Sequence, residues 1–181
     1  MQKPLTIALA MLAFPAIAHA QTFKSSAGDL KVETVAEGLS QPWALAFLPD
    51  GSRAYVPSET GATLTMIDVK KLAPVKTIRL DPGMRPMGTA MAPDGKTLYV
   101  TTGRSRMVLM LDTAKNEVVG SVEAGPRPWG IALSPDATTL YTANGPSNDV
   151  SVIDVVGKRV TQRIPVGTGP WGIAVVRRST Q

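Results

Sequence analysis

The chain has no cysteine, and its single histidine is His19. That histidine sits inside an N-terminal segment, MQKPLTIALAMLAFPAIAHA, with the anatomy of a cleavable export signal. Lys3 supplies the positive end, and Leu5 to Ile17 is apolar apart from Thr6 and Pro15. Ala18-His19-Ala20 places small residues where a signal peptidase cuts, and a spanning helix would need about 20 unbroken apolar residues. Residues 1–20 are therefore expected to be removed after Ala20, leaving a periplasmic or secreted chain. No cysteine follows the cleavage site to carry a lipid, and no later stretch is long and apolar enough for a bilayer. No membrane insertion is expected after cleavage.

Cleavage turns two scarcities into absences. A chain with neither His nor Cys has no disulfide, structural zinc site, thiol nucleophile or covalent c-type haem. It also has no Ser-His-Asp triad and no histidine-ligated haem. The chemistry left belongs to Asp, Glu, Arg, Lys, Asn, Tyr and Trp, or to a cation bound by oxygen. Losing Lys3 takes the basic count from 19 to 18 against 14 acids, a net charge of +4. The basic residues are scattered, with Lys70-Lys71, Lys158-Arg159 and Arg177-Arg178 the only doublets. A nucleic-acid partner wants a clustered basic face with aromatics, so none is expected.

What is present is a repeat. One copy reads QPWALAFLPDGSRAYVPSETGATLTMIDV from Gln41, and the next RPMGTAMAPDGKTLYVTTGRSRMVLMLDT from Arg85. A third reads RPWGIALSPDATTLYTANGPSNDVSVIDV from Arg127, and a fourth begins GPWGIAVV at Gly169. Pro42, Pro86, Pro128 and Pro170 are 44, 42 and 42 residues apart. In each full copy an Asp lies 8 residues after the proline (Asp50, Asp94, Asp136) and a Tyr 13 after it (Tyr55, Tyr99, Tyr141). A second Asp follows 13 residues later (Asp68, Asp112, Asp154). The two extra residues of the first copy are expected after Asp68, near Ala73-Pro74.

Each copy holds four short strand candidates between turn signals. In the third they are Gly130–Ser134, Thr139–Ala143, Val150–Val155 and Arg159–Val166. Segments of this length, rich in Val, Ile, Thr and Tyr, are hairpin material. Four antiparallel strands per period of about 42 residues is the β-propeller blade pattern. The prolines suit a strand's first position, where a missing N–H costs nothing.

The pattern P-W-G-I-A-x-S-P-D-x-x-x-L-Y-x-A-N-G, continued by D-V-S-V-I-D-V and I-P-V-G over residues 128–167, resembles the YVTN-type β-propeller repeat. Tyr99-Val100-Thr101-Thr102 is close to the name-giving tetrapeptide, and Tyr55-Val56-Pro57-Ser58 departs from it. The resemblance covers residues 30–177. The first copy is also similar, in EGLSQPWALAFLPDG, to quinoprotein dehydrogenase propellers. The resemblance implies that the P-W-G strand is innermost in its blade and the I-P-V-G strand outermost.

The expected organisation is a signal at 1–20, a flexible segment at 21–29, a propeller domain at 30–177 and a tail at 178–181. The fold class is all-β, with about three complete four-stranded blades. A leading strand (Leu30–Ala36) and a trailing one (Gly172–Val176) are left unpaired. Closed rings have 4–8 blades, so an incomplete ring is expected: a shortened relative, a truncated product, or an arc completed by a protein partner or a second copy.

Trp43, Trp129 and Trp171 share one repeat position, which Met87 fills in the second copy. A position that recurs in every blade is expected to fill the wedge between blades. Asp68, Asp112 and Asp154 are likewise expected to start turns rather than bind metal, as are Asp50, Asp94 and Asp136. Blade-specific residues are the better site candidates. The resemblance puts the loop after each second strand on the same face as the residue before each proline. That face would gather Glu59, Arg85, Arg104, Arg106 and Arg127, a set suited to an anionic small molecule. Asn144 and Asn148 join them as candidates, although turn hydrogen bonds suit both. No cofactor is expected, calcium being possible if Glu59, Asn144 or Asn148 converge. The leading reading is a non-catalytic binding or interaction module, linked through its resemblance to quinone-dependent oxidation. The alternative is a calcium-dependent lactonase-like hydrolase or a dehydrogenase accessory subunit.

Overall fold

The computed structural model describes residues 21–176. Residues 1–20, where an export signal is expected, and residues 177–181 lie outside them. The described residues fall into two units that divide between Val35 and Ala36.

The first unit is a hairpin. Strand β1 (Gln21–Ser25) pairs antiparallel with β2 (Gly28–Val32), Phe23 opposite Leu30. The turn needs Gly28, whose φ is +116°. Ser25 closes it, its hydroxyl donating to the Gly28 carbonyl at 2.6 Å. This corrects two expectations. Residues 21–29 belong to paired structure, and the strand expected over Leu30–Ala36 ends at Val32 with β1 as its partner.

The second unit holds three four-stranded antiparallel sheets, each meandering from inner to outer strand. Blade one is β3 (Ala46–Phe47), β4 (Arg53–Ser58), β5 (Thr63–Asp68) and β6 (Ala73–Arg79). Blade two is β7 (Pro86–Met91), β8 (Thr97–Thr102), β9 (Met107–Asp112) and β10 (Glu117–Glu123). Blade three is β11 (Pro128–Leu133), β12 (Thr139–Asn144), β13 (Asp149–Asp154) and β14 (Arg159–Pro165). The architecture is all-β, built of propeller blades that do not close into a ring. The trailing segment Gly172–Val176 forms no strand.

Turn chemistry explains the regularity. Each hairpin turn places one residue in the left-handed region at a fixed repeat position. Before the outer strands these residues are Leu72, Asn116 and Lys158, with φ of 49°, 57° and 49°. The repeated aspartates fasten the same turns. Asp68 Oδ1 accepts from the Lys71 amide at 3.0 Å, Asp112 from Ala114 and Lys115, and Asp154 from Val156 and Gly157. Asp50, Asp94 and Asp136 accept from the amides of Ser52, Lys96 and Thr138. These bonds hold the Asp68 and Asp112 carboxyls below the usual carboxylate range, the backbone amides of Lys71 and Lys115 being the main causes.

The Asp68–Lys71 turn is no longer than its counterparts, so the first copy's extra residues are not at Ala73-Pro74. They lie in the crossover between β6 and β7. A bonded turn is fixed in length, and a solvent-facing crossover is not.

Blade one departs from its sisters at the inner strand. Pro57 points its carbonyl inward to the Trp43 amide at 3.2 Å but has no N–H to offer alongside it. The inner ladder shrinks to Ala46–Phe47 and a single bridge between Pro42 and Ser58.

Two cores lie between the sheets. One joins Tyr55, Leu64 and Ile78 of blade one to Leu98, Val100, Leu109 and Leu111 of blade two. The other joins Tyr99, Val108 and Val122 of blade two to Leu140 and Ile153 of blade three. Successive inner strands also approach closely. A Cβ on Gly88 would stand 2.5 Å from the Trp129 carbonyl, and one on Gly130 2.8 Å from the Trp171 carbonyl. The trailing segment thus lies against blade three as blade three's inner strand lies against blade two.

Candidate functional site

The inner strands begin at the repeated prolines, and the residue after each proline leans over the loop that follows the second strand. In blades two and three that loop supplies a glycine. A Cβ on Gly103 would stand 2.7 Å from Met87 Sδ, and one on Gly145 would overlap the Trp129 ring. Met87 is accordingly 1% exposed. Blade one has Glu59 at this position, so Trp43 cannot lie down in the same way. Its indole N–H donates instead to Glu59 Oε2 at 2.6 Å. The ring then stands 40% exposed and stacks on Trp171 at 5.5 Å between centroids. Trp171 meets Trp129 at 4.6 Å and is itself 60% exposed.

The three tryptophans therefore gather in one place. Wedge-filling, expected of all four positions, describes Met87 but not Trp43 or Trp171. The rings wall a cleft of about 340 Å³ that also exposes Thr89 and Ile131. Among the described residues, Thr89 Oγ1 is buried without a hydrogen-bond partner.

Charge flanks the cleft. The Arg127 guanidinium sits over the Trp129 ring, 5.7 Å from its centroid. Arg85 reaches Glu59 Oε1 at 3.4 Å, across the boundary between blades one and two. Glu59 is 8% exposed, so its carboxylate is held between an indole N–H and a guanidinium. Arg85 and Arg127 precede their prolines with φ of 50° and 47°, the position that Gly169 fills in the trailing copy.

The other candidates lie elsewhere in the chain's bonding. Arg106 pairs with Glu123 at 3.3 Å on the surface, and Arg104 is exposed on its loop. Asn144 is fully buried in blade three, donating to Asp149 Oδ1 at 2.6 Å and Ser151 Oγ at 2.8 Å. Ser151 and Arg163 both donate to the Ala124 carbonyl, which ties blade three to blade two. Asn148 adopts a left-handed conformation, and its side-chain oxygen accepts from the Gly169 amide at 2.8 Å. That bond sets the course of the chain just before Trp171. Among the described residues no three acidic side chains gather where a cation would sit.

The sequence carried one signal of this cluster that repeat reasoning discounted. All three tryptophans occupy a single repeat position, and inner strands around one axis bring such positions together.

No family model matches the chain. No curated protein matches it either. Solved structures do. A match to Kuenenia stuttgartiensis hydrazine synthase has 26% identity and a TM-score of 0.68, covering 75% of this chain and 39% of that one. A candidate 6-phosphogluconolactonase from Bacteroides fragilis matches at 22% identity and a TM-score of 0.63, over 83% and 45%. The WD40 repeats of RRP9 match at 16% identity and 0.63, over 75% and 41%. The chain thus spans less than half the length of each of these proteins. Together they place its fold among the β-propellers.

Proposed function

We propose that this protein is an exported, non-catalytic binding module of the YVTN-type propeller class. Its ligand is a flat, anionic small molecule held in the tryptophan cleft. The observation that supports this reading is the convergence of Trp43, Trp129 and Trp171 beside Arg127. Stacked indoles offer a flat apolar wall, and an arginine at its rim offers a paired donor for a carboxylate. Quinone carboxylates have this shape and charge, which keeps a link to quinone-dependent oxidation within the proposal.

A hydrolase reading has less to support it. Its calcium site would draw on Glu59, Asn144 or Asn148. Glu59 is engaged by Trp43 and Arg85, Asn144 by Asp149 and Ser151, and Asn148 by Gly169.

The experiment is a fluorescence titration, since every tryptophan of the chain lines the cleft. Naphthoate and a quinone carboxylate are the probes, with neutral naphthalene as control. Saturable quenching by the acids, weakened about tenfold or more in Arg127→Ala, is expected. Equal quenching by naphthalene would remove the anion from the proposal. A rise in melting temperature on adding calcium would favour the hydrolase. N-terminal sequencing of protein recovered outside the cytoplasm tests export, with Gln21 the expected first residue.

A further inference from the structure

The first residue of the loop after each second strand separates blade one from its sisters. We propose that Glu59 is a positioning residue for the tryptophan cleft. Its carboxylate holds Trp43 upright as one wall, and a glycine in its place would let the ring lie down and take that wall away. The proposal deepens the reading above, resting on it for the ligand alone.

The repeat supplies the comparison. Glu59, Gly103 and Gly145 each lie 17 residues after their proline. Blades one and two share a backbone frame here. The Glu59 amide donates to the Gln41 carbonyl at 3.0 Å, and the Gly103 amide to the Arg85 carbonyl at 2.9 Å. None of the three residues has a positive φ. The two glycines are therefore needed for room, not for backbone freedom. Gly103 admits Met87 and Gly145 admits the Trp129 ring, where any Cβ would collide. A Cβ at position 59 is enough to deny Trp43 that resting place.

Steric denial alone leaves the ring free to turn, and the carboxylate fixes it. Oε2 accepts from the Trp43 indole N–H at 2.6 Å, and Oε1 accepts from the Arg85 guanidinium at 3.4 Å. Only 11% of the Glu59 side chain is exposed. A buried carboxylate held from both sides is a stiff acceptor, and its bond to the indole is charge-assisted. The held ring stacks on Trp171 at 5.5 Å. Glu59 does not itself line the cleft, so it acts on a ligand through Trp43. Arg85 orients Glu59 in turn.

Three variants separate room from anchoring, read first without ligand by acrylamide quenching of tryptophan fluorescence and by near-ultraviolet circular dichroism. In Glu59→Gly the ring should lie down, so quenching falls and the dichroism of the stacked indoles is lost. In Glu59→Ala the Cβ still blocks the resting place but no acceptor remains, so quenching persists while the dichroism weakens. Glu59→Gln restores an acceptor oxygen and should return both signals to those of the parent protein. Naphthoate affinity should fall by about three- to tenfold in Glu59→Gly, the worth of one stacked aromatic contact, and recover in Glu59→Gln. A Glu59→Gly protein that melts lower with quenching and dichroism unchanged would overturn the proposal. So would identical spectra from all three variants. If Glu59→Gly does not fold, the proposal still requires weaker dichroism in Glu59→Ala and parental dichroism in Glu59→Gln. A parent protein that ignores naphthoate while the ligand-free signals move as stated would sink the binding reading and leave the role of Glu59 standing.

Discussion

Blade two lies between two neighbours, and blade three has a full blade on one side only. Their sequences are close copies: both run from R-P through a P-D turn and a Leu-Tyr pair to a closing Asp. Their burial is not alike. Strand β9 of blade two has four consecutive buried residues, and the matching β13 of blade three alternates buried and half-buried. Strand periodicity puts alternate residues on opposite faces. In blade two both faces are covered; in blade three one is. Equal hydrophobicity in the sequence thus becomes core in one place and surface in another. What separates them is position in the array.

The sharpest way to break this comparison is to truncate the same tyrosine twice. Tyr99→Ala removes a ring from a closed core and should cost about 3–4 kcal/mol. Tyr141→Ala removes the equivalent half-open ring and should cost about 1 kcal/mol in the monomer. Chemical denaturation reads both, and equal losses would mean that blade three's face is covered after all. The inner glycines offer a second contrast. Gly88→Val sets a side chain against the Trp129 carbonyl and should cost about 2–3 kcal/mol. Gly172→Val meets no atom within 4 Å and should melt with the parent protein.

A smaller effect tests the turns. Ala137 sits at φ 59° where the other two blades have Gly51 and Gly95. Ala137→Gly should therefore stabilise blade three by about 0.5–1 kcal/mol. The mirror change, Gly95→Ala, should destabilise blade two. A higher melting temperature for Gly95→Ala would refute the assignment.

The pH profile carries the smallest contribution per group, because Asp50 and Asp136 are open to solvent, Asp112 is half-buried, and only Asp68, paired with Arg53 at 2.8 Å, is buried. Asp50, Asp68, Asp112 and Asp136 are all held below their usual value near 3.8. A lowered folded pKa means the unfolded chain takes up protons first as pH falls. Their stabilisation is present above about pH 4 and is lost on acidification through the lowered folded values. Burial pushes Tyr55 and Tyr99 above their usual 10.0, so stability should fall again on the alkaline side of that value. Melting temperatures across pH 2–11 check both limbs. Removing Asp68 and Asp112 together, as asparagines, should flatten the acid limb.

Much of the fold was legible because a repeat is local chemistry printed three times. The third blade's strands end within two residues of where periodicity and turn signals put them. The aspartates could be read as turn formers because a side chain reaching an amide two or three residues on needs no distant partner. The extra residues of the first copy were misplaced for a complementary reason. Sequence spacing counts an insertion but cannot tell a hydrogen-bonded turn from a free crossover. The site was less legible still. Glu59 stood out as blade-specific, and Arg85 as its neighbour on one face. Nothing local said that the carboxylate would take an indole proton from Trp43, or that Asn144 would disappear into blade three.

The sequence by itself determined the unit: four strands, their turns and their alternation of faces. These follow from contacts within some ten residues of chain. The tertiary structure decided what the units do to each other. It stacked Trp43, Trp129 and Trp171, residues 42 and 86 apart along the chain, because inner strands share one side of the array. It also covered strand β9 of blade two on both faces and strand β13 of blade three on one, which no repeat can encode, since every copy carries the same pattern and only its neighbours determine which face stays wet.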